Sequence, residues 1–262
     1  CRASACHNRW MVESSASSAD SRAALDALKL ARLRGLLEAV LPGNAFYAAK
    51  LARIAEPAAI ESLDALAGWP FTFKDELVEA AGAAVAAGQS ATPGNLTYPV
   101  DCYVRYHQTS GTHGRPLPVF DTADDWRWWM DCWQLVLKRG RVQAGDRVFV
   151  ASSFGPYVGF WSGFDAATSV GAMAIPSGGL STVARLELLR TVGATVLVAT
   201  PSYALHLAEV AREQKLDTAA LPVRIVIVAG EPGGSSPSVR SRLAEAWGAA
   251  VLDHAGATEV GP

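Results

Sequence analysis

An α/β layered fold, with a parallel-rich sheet flanked by helices and a helical region ahead of it, is what this sequence predicts, and three observations carry the prediction. From Val100 onward, short apolar runs of strand length alternate with segments of helical periodicity. Two of those runs, Val196-Leu197-Val198 and Ile225-Val226-Ile227-Val228, are apolar on both faces, as central strands covered by helices must be. Two of the helices open on marked starts: Thr200 before Pro201 and Ser236 before Pro237 put a capping hydroxyl ahead of a proline at the first helical position.

Taken in order, residues 1–20 are a Ser/Ala-rich, unpatterned leader without the continuous apolar stretch of a secretory signal. Cys1 is no initiator, and Met11 reads as the start. Residues 21–99 read as a helical region. Leu25, Leu28, Leu30, Leu33, Leu36, Leu37 and Val40 recur at helical spacing, with Lys29, Arg32 and Arg34 on the other side. Pro42-Gly43-Asn44 breaks that pattern, and a second short helix is expected over Tyr47–Ile54. A short helix, the Trp69-Pro70 turn and a helix opened by Lys74-Asp75-Glu76 follow, and the Ala/Gly run 80–94 reads as a flexible connection. Residues 100–262 read as the α/β core. Its strands are expected at Val104–His107, Leu117–Asp121, Arg147–Ala151, Ala172–Ile175, Thr195–Ala199, Arg224–Val228 and Ala250–Asp253. Its helices are expected at Asp124–Lys138, Phe160–Val170, Ser181–Val192, Pro201–Gln214 and Pro237–Trp247. Trp126, Trp129 and Trp133 share one stripe of the first of these helices and read as core rather than as a ligand cage. The chain stops at Pro262, directly after a loop, which reads as a fragment.

Of the 262 residues half are hydrophobic and the formal net charge is −2, an ordinary globular balance that suggests neither a nucleic-acid surface nor a polybasic membrane patch. No apolar run approaches the roughly 18–20 residues of a membrane span. The four cysteines, Cys1, Cys6, Cys102 and Cys132, are scattered and read as reduced thiols of a cytoplasmic protein. Cys1, Cys6 and His7 make too poor a ligand set to be read as a metal site.

Between the first two strands of the core lies Thr109-Ser110-Gly111-Thr112-His113-Gly114-Arg115-Pro116. Its two glycines let the backbone bend and approach an anion closely. The hydroxyls of Thr109, Ser110 and Thr112, with a run of backbone N–H groups, are donors suited to phosphate oxygens. Arg115 adds a cationic fork, and Pro116 stiffens the exit. No Gly-Lys-Ser/Thr follows and no long helix begins there, so this is not a Walker loop. By itself the octamer is equally a polar hairpin turn. Three further segments fall at the carboxyl ends of expected strands, where open α/β sheets bind ligands. They are Phe154-Gly155-Pro156-Tyr157, Ala229-Gly230-Glu231-Pro232 and the run from Asp253 to Glu259.

Several segments, in this order, carry a family resemblance. The octamer resembles the Ser/Thr-Gly-Thr-Thr-Gly-x-Pro phosphate loop of adenylate-forming enzymes, the acyl-CoA synthetase and adenylation-domain superfamily. Trp69-Pro70-Phe71-Thr72-Phe73-Lys74-Asp75-Glu76-Leu77 is similar to the Pro-Phe-Thr-x-Lys-x-x-Leu segment of its phenylacetate–CoA ligase branch. Val196 to Ala204 resembles that branch's strand-to-helix passage through Thr-Pro-Ser-Tyr, and Ala229–Pro232 its adenine-side turn. His254 to Pro262 resembles the aromatic-Gly-x-Thr/Ser-Glu motif. The likeness runs from about Leu25 to the last residue.

The resemblance implies the large N-terminal domain of such enzymes. It also implies ATP-dependent activation of a carboxylic acid, phenylacetate-like and aromatic, to an acyl-adenylate, followed by transfer to CoA with AMP and diphosphate formed. It makes 100–262 a nucleotide-binding core, cut before the rest of the large domain and before a C-terminal lid that carries a catalytic lysine. By itself such a piece is expected to bind nucleotide weakly and not to run the whole reaction. Thr109, Ser110, Gly111, Thr112, His113, Gly114 and Arg115 would hold the β- and γ-phosphates. Gly230, Glu231 and Pro232 would line the adenine, with Asp253, His254, Ala255 and Gly256 beside it. Thr258 would donate to the α-phosphate, and Glu259 would be the Mg²⁺ ligand, a hard oxygen suited to that ion. The acyl group would lie between segment 154–161 and the loop Pro176-Ser177-Gly178-Gly179, against Tyr157, Phe160 and Trp161, aromatics that read equally as core. Loop 109–116 and Glu259 are expected to face one another across one cleft. A homodimer is implied by resemblance alone.

Three positions depart from the family pattern. His113 stands for the second threonine of the loop, Arg115 for a common lysine, and Ala255 for the usual aromatic, with His254 just before it. The Asp253-His254 pair is not read as a metal site. Two other readings stay open: an adenylate-forming enzyme with an amine, cofactor or carrier-protein acceptor, and a non-catalytic nucleotide-binding module.

Overall fold

Helix α1 (Arg22–Val40) ends where the sequence predicts a break, at Pro42-Gly43-Asn44, and the reason is partly tertiary. Asn44 is 3% exposed. Its Oδ1 accepts from the Tyr47 N–H at 3.0 Å, capping helix α2 (Ala45–Lys50), while its Nδ2 donates to the Asn95 carbonyl at 2.7 Å and the Thr97 hydroxyl at 3.1 Å. That cap starts α2 two residues before the expected Tyr47, and the helix ends at Lys50 rather than Ile54. The computed structural model describes residues 22–54, 56–86, 94–111 and 115–261. The leader, with Cys1, Cys6, His7 and Met11, lies outside them.

The chain divides into two units, Cys1–Asp125 and Trp126–Pro262, and the change of patterning at Val100 falls inside the first. In the first unit Leu37, Leu51 and Ile60 form a small apolar cluster with Leu30, Leu33 and Trp69 packed against it. Arg34, expected on the polar side of α1, turns to donate to the Ile60 carbonyl at 2.8 Å. The short helix expected before Trp69 is instead a pair of 3₁₀ turns, Pro57–Ala59 and Leu63–Gly68. Helix α3 (Lys74–Ala86) begins where expected: Glu76 accepts from the Phe73 N–H at 2.7 Å and pairs with Lys50 at 2.6 Å. It runs through part of the alanine-rich stretch read as a connection, since alanine is the strongest helix former. Strands β1 (Tyr103–Gln108) and β2 (Pro118–Thr122) pair antiparallel, Gln108 opposite Pro118.

Helix α4 (Ala123–Arg139) leads into the second unit. There strands β3 (Arg147–Val150), β4 (Met173–Pro176), β5 (Val196–Ala199), β6 (Ile225–Val228) and β7 (Ala250–Asp253) form one sheet in the order β4-β3-β5-β6-β7, every pair parallel. Helices α5 (Val158–Ser169), α6 (Thr182–Val192), α7 (Pro201–Glu213) and α8 (Pro237–Trp247) connect them. The two-faced apolar strands explain the layering. Val148, Val150, Val196, Val198, Ile225 and Ile227 pack with Trp133 and Leu137 of α4 and Ala166 and Ala167 of α5. The alternate residues Phe149, Leu197, Val226 and Val228 pack with Leu186, Leu189, Leu207, Leu243 and Trp247 of the other three helices. Each large aliphatic side chain so buried contributes about 1.5–3 kcal/mol. Trp126, Trp129 and Trp133 are 6%, 5% and 2% exposed, a core stripe as predicted. Helix α5 starts at Val158, before the expected Phe160, because its N-cap is Tyr157, which makes no capping bond that would mark the start.

Strand order is what positions ligands in this architecture. From β3 the chain steps outward to β4, then returns past β3 to β5 and continues through β6 and β7. The reversal makes the β3/β5 gap the topological switch point, and ligands of open α/β sheets sit outside the carboxyl ends of strands there.

The amino ends of the strands are tied together by charge. Asp146, 8% exposed and just before β3, accepts from the Gln143 N–H, the Thr195 hydroxyl before β5, and Arg224 before β6, the last at 2.5 Å. Burial pushes the Asp146 carboxyl upward, but the bonds from Arg224, Gln143 and Thr195 outweigh it and hold it below the ordinary aspartate value. Arg224 also donates to the carbonyls of Gly140 and Arg141. Among the described residues Cys132 is a free thiol.

Candidate active site

The loop between β1 and β2 is knotted at its neck. The Thr109 N–H donates to the Leu117 carbonyl at 3.0 Å, and the Leu117 N–H donates to the Thr109 hydroxyl at 3.0 Å. Thr109 is therefore buried and its oxygen is committed to the loop, while Ser110 and Arg115 are exposed on it. Gly111 has φ +68°, and a Cβ there would meet the Pro116 nitrogen at 3.0 Å, so both the left-handed turn and the close return of the chain call for glycine. Thr112, His113 and Gly114 lie outside the described residues. Beneath the loop the buried His107 and Asp121 pair through Nδ1 and Oδ2 at 2.9 Å.

In the second unit the carboxyl ends of all five strands lie along one edge, and the remaining candidate residues collect there. After β6, Gly230 adopts φ +89°, and a Cβ on it would stand 4.0 Å from the Phe160 ring and 3.5 Å from the Thr200 methyl. Glu231 turns its carboxylate to the start of α7, accepting from the Ser202 N–H at 2.6 Å, and Pro232 is exposed. After β7, Asp253 lies against the β6 turn, since a Cβ on Gly234 would be 2.5 Å from its carboxylate. The His254 N–H donates to the Val228 carbonyl at 2.9 Å, and its ring meets Trp133 edge-on, centroids 4.8 Å apart. Burial lowers the His254 pKa, opposed by the Asp253 charge beside it, so the imidazole is biased toward its neutral form.

Ala255 and Gly256 are exposed. Thr258 and Glu259 occupy a tight turn closed by Ala257 pairing with Gly261, with the Gly261 N–H on the Ala257 carbonyl at 2.8 Å. Thr258 is half-buried and Glu259 exposed. After β3, Phe154 packs on Trp161, whose indole donates to the Gly155 carbonyl at 3.0 Å. Tyr157 is exposed at 46%, Phe160 and Trp161 are half-buried, and the β4 loop touches this segment: a Cβ on Gly178 would meet the Ser153 carbonyl at 3.2 Å. Gly179 follows at φ +75°.

The fold thus brings the segments after β6 and β7 against each other and the loops after β3 and β4 against each other, all along the carboxyl edge of the sheet. The loop at 109–116 belongs to the first unit. Residues 33–262 match the family described as AMP-binding enzyme. The chain belongs to the AMP-binding enzyme family. It is 29% identical over 242 residues to the phenylacetate-coenzyme A ligase of Pseudomonas putida, covering 91% of this chain and 52% of that protein. The corresponding ligase of Escherichia coli (strain K12) is 30% identical over 167 residues, 62% of this chain and 37% of that protein. Among solved structures, 2-hydroxyisobutyryl-CoA ligase in its postadenylation state with 2-HIB-AMP superposes with a TM-score of 0.82 at 28% identity, over 95% of this chain and 54% of that one. The chain thus spans about half the length of these relatives. Two side chains at this edge carry no signal in the sequence: Glu231, which accepts from the first turn of α7, and Arg185, whose guanidinium lies nearby. Neither belongs to a short local pattern; each side chain reaches partners 8 to 33 residues away.

Proposed function

We propose that the protein activates a carboxylic acid with ATP and passes the acyl group to CoA. A carboxylate oxygen attacks the α-phosphorus, the bond to the bridging oxygen breaks and diphosphate leaves. The CoA sulfur then attacks the acyl carbonyl and AMP departs. The observation that carries the reading is that Val228 and Gly234, on either side of the Gly230–Pro232 turn, meet His254 and Asp253 at the carboxyl edge of the sheet in a chain of the AMP-binding family. It is supported by relatives named phenylacetate-coenzyme A ligase and by a structural neighbour solved with both 2-HIB-AMP and CoA.

Within this proposal Ser110, Gly111 and Arg115 hold the β- and γ-phosphates, together with Thr112, His113 and Gly114. Thr109 shapes that loop from its neck. Gly230, Pro232, Ala255 and Gly256 leave room for the nucleotide base. Thr258 donates to the α-phosphate. Tyr157, Phe160, Gly178 and Gly179 border the acyl group, for which an aromatic, phenylacetate-like acid is the leading class. Among the described residues no three His, Cys, Asp or Glu side chains cluster as a metal site. Mg²⁺ asks for only one or two carboxylates beside substrate phosphates, and Glu259, an exposed carboxylate on a tight turn, fits that demand. When bound, the ion neutralises charge on the phosphates. Catalysis is otherwise positioning and electrostatics supplied by the chain. Among the described residues no helix is long and apolar enough to cross a membrane. Cytoplasmic location follows within the proposal from its intracellular co-substrates, and pairing as a homodimer rests on resemblance.

The test is exchange of labelled diphosphate into ATP by the longest native form of the protein, across a panel of aromatic and aliphatic acids. Acid-dependent exchange that drops by about 100-fold or more in Glu259→Gln is expected. ATP turnover indifferent to any acid, or full exchange in the variant, would overturn the reading.

A further inference from the structure

Arg185, in the first turn of α6, is 9% exposed, and a buried cation ordinarily has an acid beside it. Among the described residues none pairs with this one. Its Nε donates to the Ser177 carbonyl at 3.0 Å, one terminal nitrogen to the Tyr203 hydroxyl at 2.7 Å and the other to the Ser152 carbonyl at 3.2 Å; the guanidinium also sits 5.1 Å from the centroid of the Tyr203 ring. Those three partners follow β4, β5 and β3 respectively, so one side chain spans the carboxyl ends of the three strands around the switch point. The Ser177 hydroxyl is itself anchored, donating to the Val150 carbonyl at 2.8 Å. The arrangement uses what distinguishes arginine from lysine, a rigid fork with donors in several directions.

We propose that Arg185 is the positioning residue of the acid pocket, setting the separation of the loop after β3 from the loop after β4, the two walls assigned above to the acyl group. The inference rests on the proposed function. Arg185 need not touch the acid: it acts through the backbone carbonyls it holds, and its charge, with only neutral partners, favours an anionic group nearby. Misplacing the walls weakens the grip on the acid and leaves the phosphate contacts alone.

The experiment is steady-state acyl-adenylate formation by the longest native form of the protein, with Arg185→Met, which keeps the stem, and Arg185→Lys, which keeps the charge without the fork. The acid KM is expected to rise by about tenfold in the methionine variant and less in the lysine variant, with ATP KM and kcat within about threefold of the parent. A folded variant with an unchanged acid KM overturns the inference, as does a joint shift of acid KM, ATP KM and melting temperature, which marks a purely structural residue. If the methionine variant does not fold, the lysine variant decides on the same criteria. A parent protein that activates no acid overturns the function and the inference together; an active parent with indifferent variants overturns the inference alone.

Discussion

The two edges of the five-stranded sheet are built by opposite rules. At the amino edge, Asp146, Thr195 and Arg224 close a network in which charge meets charge and the carboxylate of Asp146 accepts four hydrogen bonds. At the carboxyl edge the cation Arg185 meets only neutral oxygens, Glu231 faces backbone, and Gly230 holds a conformation that side chains resist. A surface groove elsewhere on this unit does not alter this contrast. It is an open groove between the late turns of α7 and α8, lined by Glu209, Arg212, Lys215, Arg242 and Glu245, and both signs of charge share it. The first edge is satisfied by itself; under the proposed function the second is completed by nucleotide and acid.

Breaking the amino edge should cost the most stability. Asp146→Ala removes four bonds from a buried carboxylate and leaves Arg224, which is partly exposed, to water, so a loss of about 2–3 kcal/mol is expected in urea unfolding. Nucleotide and acid KM should not change. Because the folded Asp146 carboxyl titrates below its unfolded value of 3.8, its contribution is complete above that pH and is lost as pH falls through the lower folded value. The alanine variant should lack that part of the acid limb. If Asp146→Ala raises the ATP KM instead, the division between the edges fails.

At the other edge Gly230→Ala forces a side chain into φ +89° beside the Thr200 methyl, and a loss of about 1–2 kcal/mol is expected, with nucleotide KM rising more than that loss explains. Glu231→Ala removes a carboxylate from the first turn of α7 and should cost about 1 kcal/mol in the same unfolding assay. The smallest effect is expected from His254→Leu. With its folded pKa below the unfolded 6.5, His254 lends stability that is full above pH 6.5 and declines as pH falls through the lower folded value. The leucine variant should flatten the stability profile on that acid side and leave it unaltered at pH 8.

What the sequence displays and what it hides also follow this division. Ile225–Val228 is legible because parallel strands under two helical layers need apolar residues on both faces, and Thr200-Pro201 because a cap and a proline act within one turn: the Thr200 hydroxyl does accept from the Tyr203 N–H at 3.3 Å. Ser236 has the same sequence signature, yet it makes no capping bond; Pro237 alone marks that start. The motif residues after β6 and β7 are legible as a pair because strand ends in a parallel sheet share an edge. The side-chain commitments are not. Asp146 and Arg224 are 78 residues apart, Glu231 caps a helix 29 positions earlier, and Arg185 finds backbone carbonyls, which every residue has. Apolar periodicity specifies layers, whereas a polar side chain's partner depends on which loops the layers deliver to it.

The two hydrogen bonds between Thr109 and Leu117 close the neck of the first hairpin with groups that belong to the ends of its strands, so the register of β1 and β2 does not draw on the side chains at the loop's tip. Exchange of an exposed loop side chain, Ser110 or Arg115, should therefore leave the strand pairing intact while it alters whatever the loop holds.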